Sequence, residues 1–177
     1  NLRHAGTCHL IPTNRESAQF FLRPPMAKAE SGGPPRMRGE VNTIYCPDEP
    51  TQRSLHAILN SSLYYQFFCI FTDGRHLNPS DIKSFPCDSK RFCETNVGRA
   101  LAKLSESLEA AMRKHTSYLR KSGLLIESVD SGETKPVIDE IDEVLAAEYS
   151  FSKESLDYIT NYDIKYRIGQ EDSEEDQ

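Results

Sequence analysis

LHAILNSSLYYQFFCIFTDGRHLNPSDIKSFP, residues Leu55 to Pro86, decides the fold. Leu55, Ile58, Leu59, Leu63, Phe67, Phe68 and Phe71 recur at three- and four-residue spacing, the pattern of a helix with a wide buried face. Asp48 can cap its start, with Glu49 and Pro50 suited to the first turn. Running unbroken to Phe71, that helix would be on the order of 34 Å long. Tyr64, Tyr65 and Gln66 interrupt its apolar run, which stays far below the roughly 20 residues that a bilayer requires, so no membrane partner is expected. Thr72-Asp73-Gly74 ends the helix, with Gly74 free to take the left-handed closing conformation. Asn78 then caps a second helix with Pro79 in its first position. Arg75 and His76 sit between the two, where Arg75 either ties the turn by bonding helix-end carbonyls or meets a ligand.

Outward from this stretch the chain divides by charge. Residues 1–103 carry 13 Lys+Arg against 9 Asp+Glu, net +4, and residues 104–177 carry 8 against 18, net -10. Phosphate neutralisation dominates nucleic-acid affinity, so a DNA surface is expected in the N-terminal portion, with the acidic portion facing solvent or a protein partner. Within that N-terminal portion, Gln19 to Arg23 and Glu40 to Cys46 read as strands, and Ala29 to Gly39 as an exposed loop bearing Arg36 and Arg38. Such a loop either contacts DNA or is simply solvated. After Pro86 a polar link presents Lys90 and Arg91.

The longest helix is expected to open at Thr95 or Asn96, with Leu101, Leu104, Leu108, Met112, His115 and Leu119 along one face. Arg120 and Lys121 suit its C-terminus and Gly123 its termination. His115 reads as a core or boundary histidine, because no second ligand stands at metal spacing. Leu124 to Val129 is a short extended segment. A helix beginning at Pro136 buries Val137, Ile138, Ile141, Val144 and Leu145, and turns Asp139, Glu140, Asp142 and Glu143 outward. Ser152 can cap a further helix through Ile159, and the last residues form an acidic tail. The expected class is α+β and mainly helical. Short strands occupy the N-terminal third, followed by long helices and a C-terminal helical hairpin, in segments 1–50, 51–122, 123–169 and 170–177.

LNSSLYYQFF followed by DGRHLNPSDIKSFP resembles the segment after the target-recognition region of N6-adenine DNA methyltransferases of restriction-modification systems, especially those fused to an endonuclease. KPVIDEIDEVLAAEYSFSKESLDYITNYDIKYRIG, Lys135 to Gly169, is similar to the extreme C-terminus of the same group, which usually has glycine where this chain has Ser150. The resemblance implies a piece taken from a longer cytoplasmic protein, in keeping with a start at Asn1. Residues 1–50 would be the end of the target-recognition region, and double-stranded DNA and the catalytic domain of the same chain would be the partners. Arg36, Arg38, Arg75, His76, Lys83, Lys90 and Arg91 are the candidate DNA contacts.

The family's chemistry needs a Gly-rich cofactor loop and an Asn/Asp-Pro-Pro-aromatic tetrapeptide, and Asn78-Pro79-Ser80-Asp81 is not one. No catalytic residue is therefore carried over, no cofactor is expected for this piece, and S-adenosylmethionine is expected for the parent protein. A nuclease centre from Pro47-Asp48 and Glu133-Thr134-Lys135 is set aside because a long helical region separates its halves. His4, Cys8, His9, Cys87 and Cys93 lack paired zinc spacing, and five cysteines fit free thiols in a reducing compartment. The alternative function is a protein-interaction module, whose acidic helical end docks on a catalytic domain or partner subunit without touching DNA.

Overall fold

In the computed structural model of the chain, residues 6–11, 19–22, 26–37, 42–72, 79–87 and 95–167 are described. They form an α+β fold that is mainly helical. Strands β1 (Gly6–Ile11), β2 (Gln19–Phe21) and β5 (Asn42–Cys46) make one antiparallel sheet in the order β2-β1-β5. Strands β3 (Met26–Ala29), β4 (Arg36–Met37), β6 (Thr116–Lys121) and β7 (Leu124–Val129) make a second, in the order β4-β3-β7-β6. This second sheet draws strands from each of the segments 1–50, 51–122 and 123–169.

Helix α1 (Glu49–Asn60) starts where the sequence predicts, because the Asp48 carboxylate accepts the Thr51 N–H at 2.7 Å. It does not run to Phe71. The backbone of Ser61 turns extended, with ψ 156°, and α2 (Ser62–Phe71) begins after it. The Ser61 hydroxyl donates to the Ile58 carbonyl at 2.6 Å and accepts the Tyr64 N–H at 3.1 Å, so one side chain closes α1 and caps α2. Asn60 adds a bond from its amide to the His56 carbonyl at 2.8 Å. Short polar side chains that compete with backbone groups outweigh the apolar periodicity at Asn60-Ser61-Ser62. Helix α3 (Pro79–Ser84) follows, while the expected caps Gly74 and Asn78 lie outside the described residues.

Helix α4 (Asn96–Lys114) is the long one, capped by the Thr95 hydroxyl accepting the Gly98 N–H at 3.3 Å. It packs against α1 through Leu101, Leu108 and Met112, and through polar pairs between the helices. The Ser54 hydroxyl donates to the Gly98 carbonyl at 3.2 Å, and His56 Nδ1 lies 2.9 Å from the Ser105 hydroxyl. Contrary to the expected continuation to Gly123, α4 ends at Lys114, and Leu119, Arg120 and Lys121 belong to β6. Gly123 closes a hairpin rather than a helix. Ser122 (φ 52°) and Gly123 (φ 75°) form a two-residue loop in the left-handed region, the primed geometry that joins twisted antiparallel strands, and Lys121 faces Leu124 across it.

After a 3-10 turn at Gly132–Thr134, α5 (Lys135–Tyr149) lays Ile141 and Leu145 on the core, with Val137, Ile138 and Val144 at its margin. Its end is a Schellman motif, in which the Phe151 N–H reaches the Ala146 carbonyl at 2.9 Å and the Ser150 N–H reaches the Ala147 carbonyl at 3.3 Å. That motif holds Ser150 at φ 56°, a conformation that costs a residue with a Cβ about 1 kcal/mol relative to glycine. Ser150→Gly is therefore expected to raise the stability by about that amount, less a few tenths for the added freedom of the unfolded chain. A urea midpoint unchanged or lowered by the substitution would contradict this reading of the turn. Helices α6 (Lys153–Asn161, capped by Ser152) and α7 (Ile164–Arg167) complete the described chain. No described helix is long and apolar enough to cross a membrane.

Candidate nucleic-acid interface

Register decides which side chains share a face of the β4-β3-β7-β6 sheet. Ala27 stands opposite Arg36 on β4 and opposite Ile126 on β7, and Ile126 stands opposite Leu119 on β6. Two residues along, Ala29, Leu124 and Lys121 form the next row of the same face. This face meets solvent: Arg36 and Lys121 are exposed, and Leu119 and Leu124 are 57% and 41% exposed. The opposite face carries Lys28, Leu125, Arg120, Tyr118, Glu127 and Val129, and Val129 packs against the helical core.

The cations of the two faces differ in how they are engaged. The face that includes Val129 is itself exposed at its outer strand, where Lys28 Nζ stands 4.9 Å over the ring of the exposed Tyr118, and the exposed Arg120 pairs with Glu30 at 2.9 Å. Glu127 is also committed, accepting the Met26 N–H at 2.9 Å. On the solvent face, neither Arg36 nor Lys121 has an acidic partner among the described residues. Three strand spacings across the sheet and two residues along it separate Arg36 from Lys121, which places their Cα atoms on the order of 16 Å apart at opposite edges of the sheet. Between them lie Ala27, Ile126, Leu119 and Leu124, an apolar floor with charged rims.

Arg36, expected in a loop, is found on a strand, which fixes its direction. Ala29 and Met37, also expected in that loop, lie on β3 and β4, and Glu30 to Pro35 connect the two strands. Lys83 is exposed on α3, beside a groove of about 220 Å³ walled by Cys46, Leu55, Leu59 and Phe85. That is a different surface from the sheet. Arg38, Arg75, His76, Lys90 and Arg91 lie outside the described residues. His115 is half-buried at the end of α4, its Nδ1 3.7 Å from Glu133.

A second concentration of polar groups is buried, and it holds helix ends together. Asp142, expected on a solvated face, is only 2% exposed. Its Oδ1 accepts the Ser62 N–H at 2.9 Å and the Leu63 N–H at 3.4 Å, so a carboxylate on α5 caps α2 from 80 positions away in sequence. Burial pushes its carboxyl up to about 6 against the opposing pull of the Ser62 hydroxyl, the Arg167 charge and the two N–H groups. Arg167 is itself buried, with its guanidinium carbon 5.0 Å over the Tyr65 ring and its backbone carbonyl accepting the Ser131 hydroxyl at 2.7 Å. The 3-10 turn, α2, α5 and α7 meet here, and both charges are bound into helix ends.

Sequence reading missed Lys28, Arg120 and Lys121 as members of one sheet. The available signal was Ser122-Gly123 between two extended apolar-rich segments, a hairpin turn that a helix-period reading of Leu119 obscured. No protein-family model, no curated protein and no solved structure matches the chain.

Proposed function

We propose that the chain is a non-catalytic DNA-recognition and support piece of an adenine-specific DNA methyltransferase, or of a restriction enzyme fused to one, with duplex DNA lying across the open face of the β4-β3-β7-β6 sheet. The observation that carries the reading is the pair Arg36 and Lys121, without acidic partners among the described residues and standing on one solvent-facing side of a sheet. Their Cα atoms, on the order of 16 Å apart, stand a little wider than the about 12 Å major groove of B-DNA, a groove that admits β-strands, so that their long side chains would reach its two rims. The cations would meet phosphates on either rim while Leu119 and Leu124 face base edges, where apolar side chains contact thymine methyls. The resemblance of Leu55 to Pro86 and Lys135 to Gly169 to the methyltransferase group supplies the rest of the reading. Methyl transfer and S-adenosylmethionine would belong to the remainder of the parent protein.

The test is a salt series of duplex-DNA affinity for the full chain and for Arg36→Ala/Lys121→Ala. The slope of log affinity against log salt is expected to fall by about 1 for each phosphate that the variant no longer neutralises. Lys153→Ala, on helix α6, which contributes no strand to the sheet, serves as the control and is expected to leave the slope in place. Identical slopes for the double variant and the unaltered chain would exclude this face as the DNA surface.

A further inference from the structure

Strand β6 ends the β4-β3-β7-β6 sheet on one side, and β4, only two residues long, ends it on the other. The two-residue hairpin bonds Lys121 and Leu124 to each other, and every second residue back along β6 repeats that inward pairing. Leu119 and Ser117 therefore bond to β7, while the N–H and C=O groups of Tyr118 and Arg120 point out of the sheet, as does the carbonyl of Thr116. The Asp130 N–H donates to the His115 carbonyl at 3.1 Å, which keeps the same alternation at the start of the strand. From Ser117 onward every residue of β6 is exposed, Tyr118 and Leu119 by more than half.

Edge strands are ordinarily blunted by shortness, a bulge, a proline or a charge in mid-strand. Shortness protects β4. Strand β6 has six residues in unbroken register with β7, contains no proline, and carries its only charges, Arg120 and Lys121, at the hairpin end. That charge pattern selects the occupant of the edge. A parallel copy of the strand would set each cation beside its own counterpart, whereas an antiparallel copy, related by a two-fold axis normal to the sheet, sets them at opposite ends. In the register that pairs Tyr118 with Tyr118 of the second copy, the outward groups of each strand meet those of the other, Arg120 stands opposite Thr116, and Leu119 stands opposite Ser117. The two Arg120 residues are then on the order of 14 Å apart, beyond the screening length of about 10 Å at 0.1 M salt.

We propose that β6 is a self-association edge, pairing antiparallel with β6 of a second copy of the chain so that two four-stranded sheets run on as one. The pairing does not rest on the DNA reading, since it uses the edge of the sheet rather than its open face. A six-residue edge is small beside the about 1,600 Å² of a stable interface, so the dimer is expected to be weak, with a Kd on the order of 0.1 mM.

Sedimentation equilibrium of the full chain, from about 10 μM to about 1 mM at roughly 0.1 M salt, is expected to show a monomer–dimer equilibrium. Thr116→Glu sets a carboxylate opposite Arg120 at both ends of the pair and is expected to tighten association about threefold, whereas Thr116→Lys sets like charges there and should weaken it about as much. The net charge of -6 would order these two variants the other way through overall repulsion, so their order reports the register. Tyr118→Pro removes an outward N–H that the β6-β7 ladder does not use and is expected to weaken association at least about tenfold. Tyr118→Ala, which loses the ring and keeps the N–H, should weaken it less than about threefold. Circular dichroism of each variant separates lost folding from lost pairing. A chain that stays monomeric to about 1 mM, tighter association of Thr116→Lys than of Thr116→Glu, or unaltered association of a folded Tyr118→Pro would each overturn the edge.

Discussion

Leu108→Ala is expected to lower the stability by about 2–5 kcal/mol, whereas Leu119→Ala should change it by less than about 0.5 kcal/mol. Both residues fall on the single apolar stripe that the sequence draws from Leu101 to Leu119. The fold separates them. Leu108 is fully buried in α4, in the cluster that also holds Ile58 and Ile141, and truncation leaves a cavity that close-packed neighbours fill only in part. Leu119 lies on β6, 57% exposed, where little transfer free energy is at stake. Urea denaturation of both variants checks the pair. Comparable losses would mean that α4 continues through residue 119 and that the hairpin does not form.

Asp142→Asn should remove a pH dependence while keeping the helix cap. The Asp142 carboxyl is pushed up to about 6 in the fold, against 3.8 unperturbed. Between about pH 4 and pH 6 the folded chain therefore holds a proton that the unfolded chain has released, and this group's contribution to stability falls as pH rises through that window. The full cost, on the order of 3 kcal/mol, is reached once the buried carboxylate is ionised in both states. Asparagine keeps an oxygen to accept the Ser62 N–H. Its amide can also donate to the Ser62 hydroxyl, which is buried beside Asp142 Oδ2 without a well-oriented bond for either atom. The variant is expected to gain on the unaltered protein by about 3 kcal/mol between pH 4 and pH 7. Parallel stability profiles in urea titrations across that range would show that Asp142 does not titrate in the fold.

These two cases mark what was legible in the sequence. Helix starts announced themselves through caps whose chemistry is local: Asp48, Thr95 and Ser152 act within three residues of themselves. Boundaries that depended on competition were harder. The interruption at Ser61 was written in Asn60-Ser61-Ser62, yet the apolar period ran through it. Asp142 sits by position inside the stripe of Ile138, Ile141 and Leu145, and its charge alone turned the reading outward. A carboxylate tolerates such burial only where N–H groups wait for it, and those of Ser62 and Leu63 come from a helix distant in sequence.

The candidate DNA face was legible only in part for the same reason. The charge of Arg36 is plain in the sequence, but the face it shares with Lys121 exists only through strand pairing. The acidic portion of the chain contributes two of that sheet's cations, Arg120 and Lys121, a mixing that a charge count by segment cannot anticipate.

The sheet also sets an order of assembly. Strand β7 finds β6 across two residues, but it finds β3 only by reaching back past the whole helical region, and the Met26 N–H meets Glu127 from 101 positions away. A ribosome releases β3 long before its inner neighbour exists, so the nascent strand must wait unpaired on that edge while the helices are made. The last third of the chain completes the first, and a polypeptide cut short before Leu124 leaves the β3-β4 pair with no sheet to join.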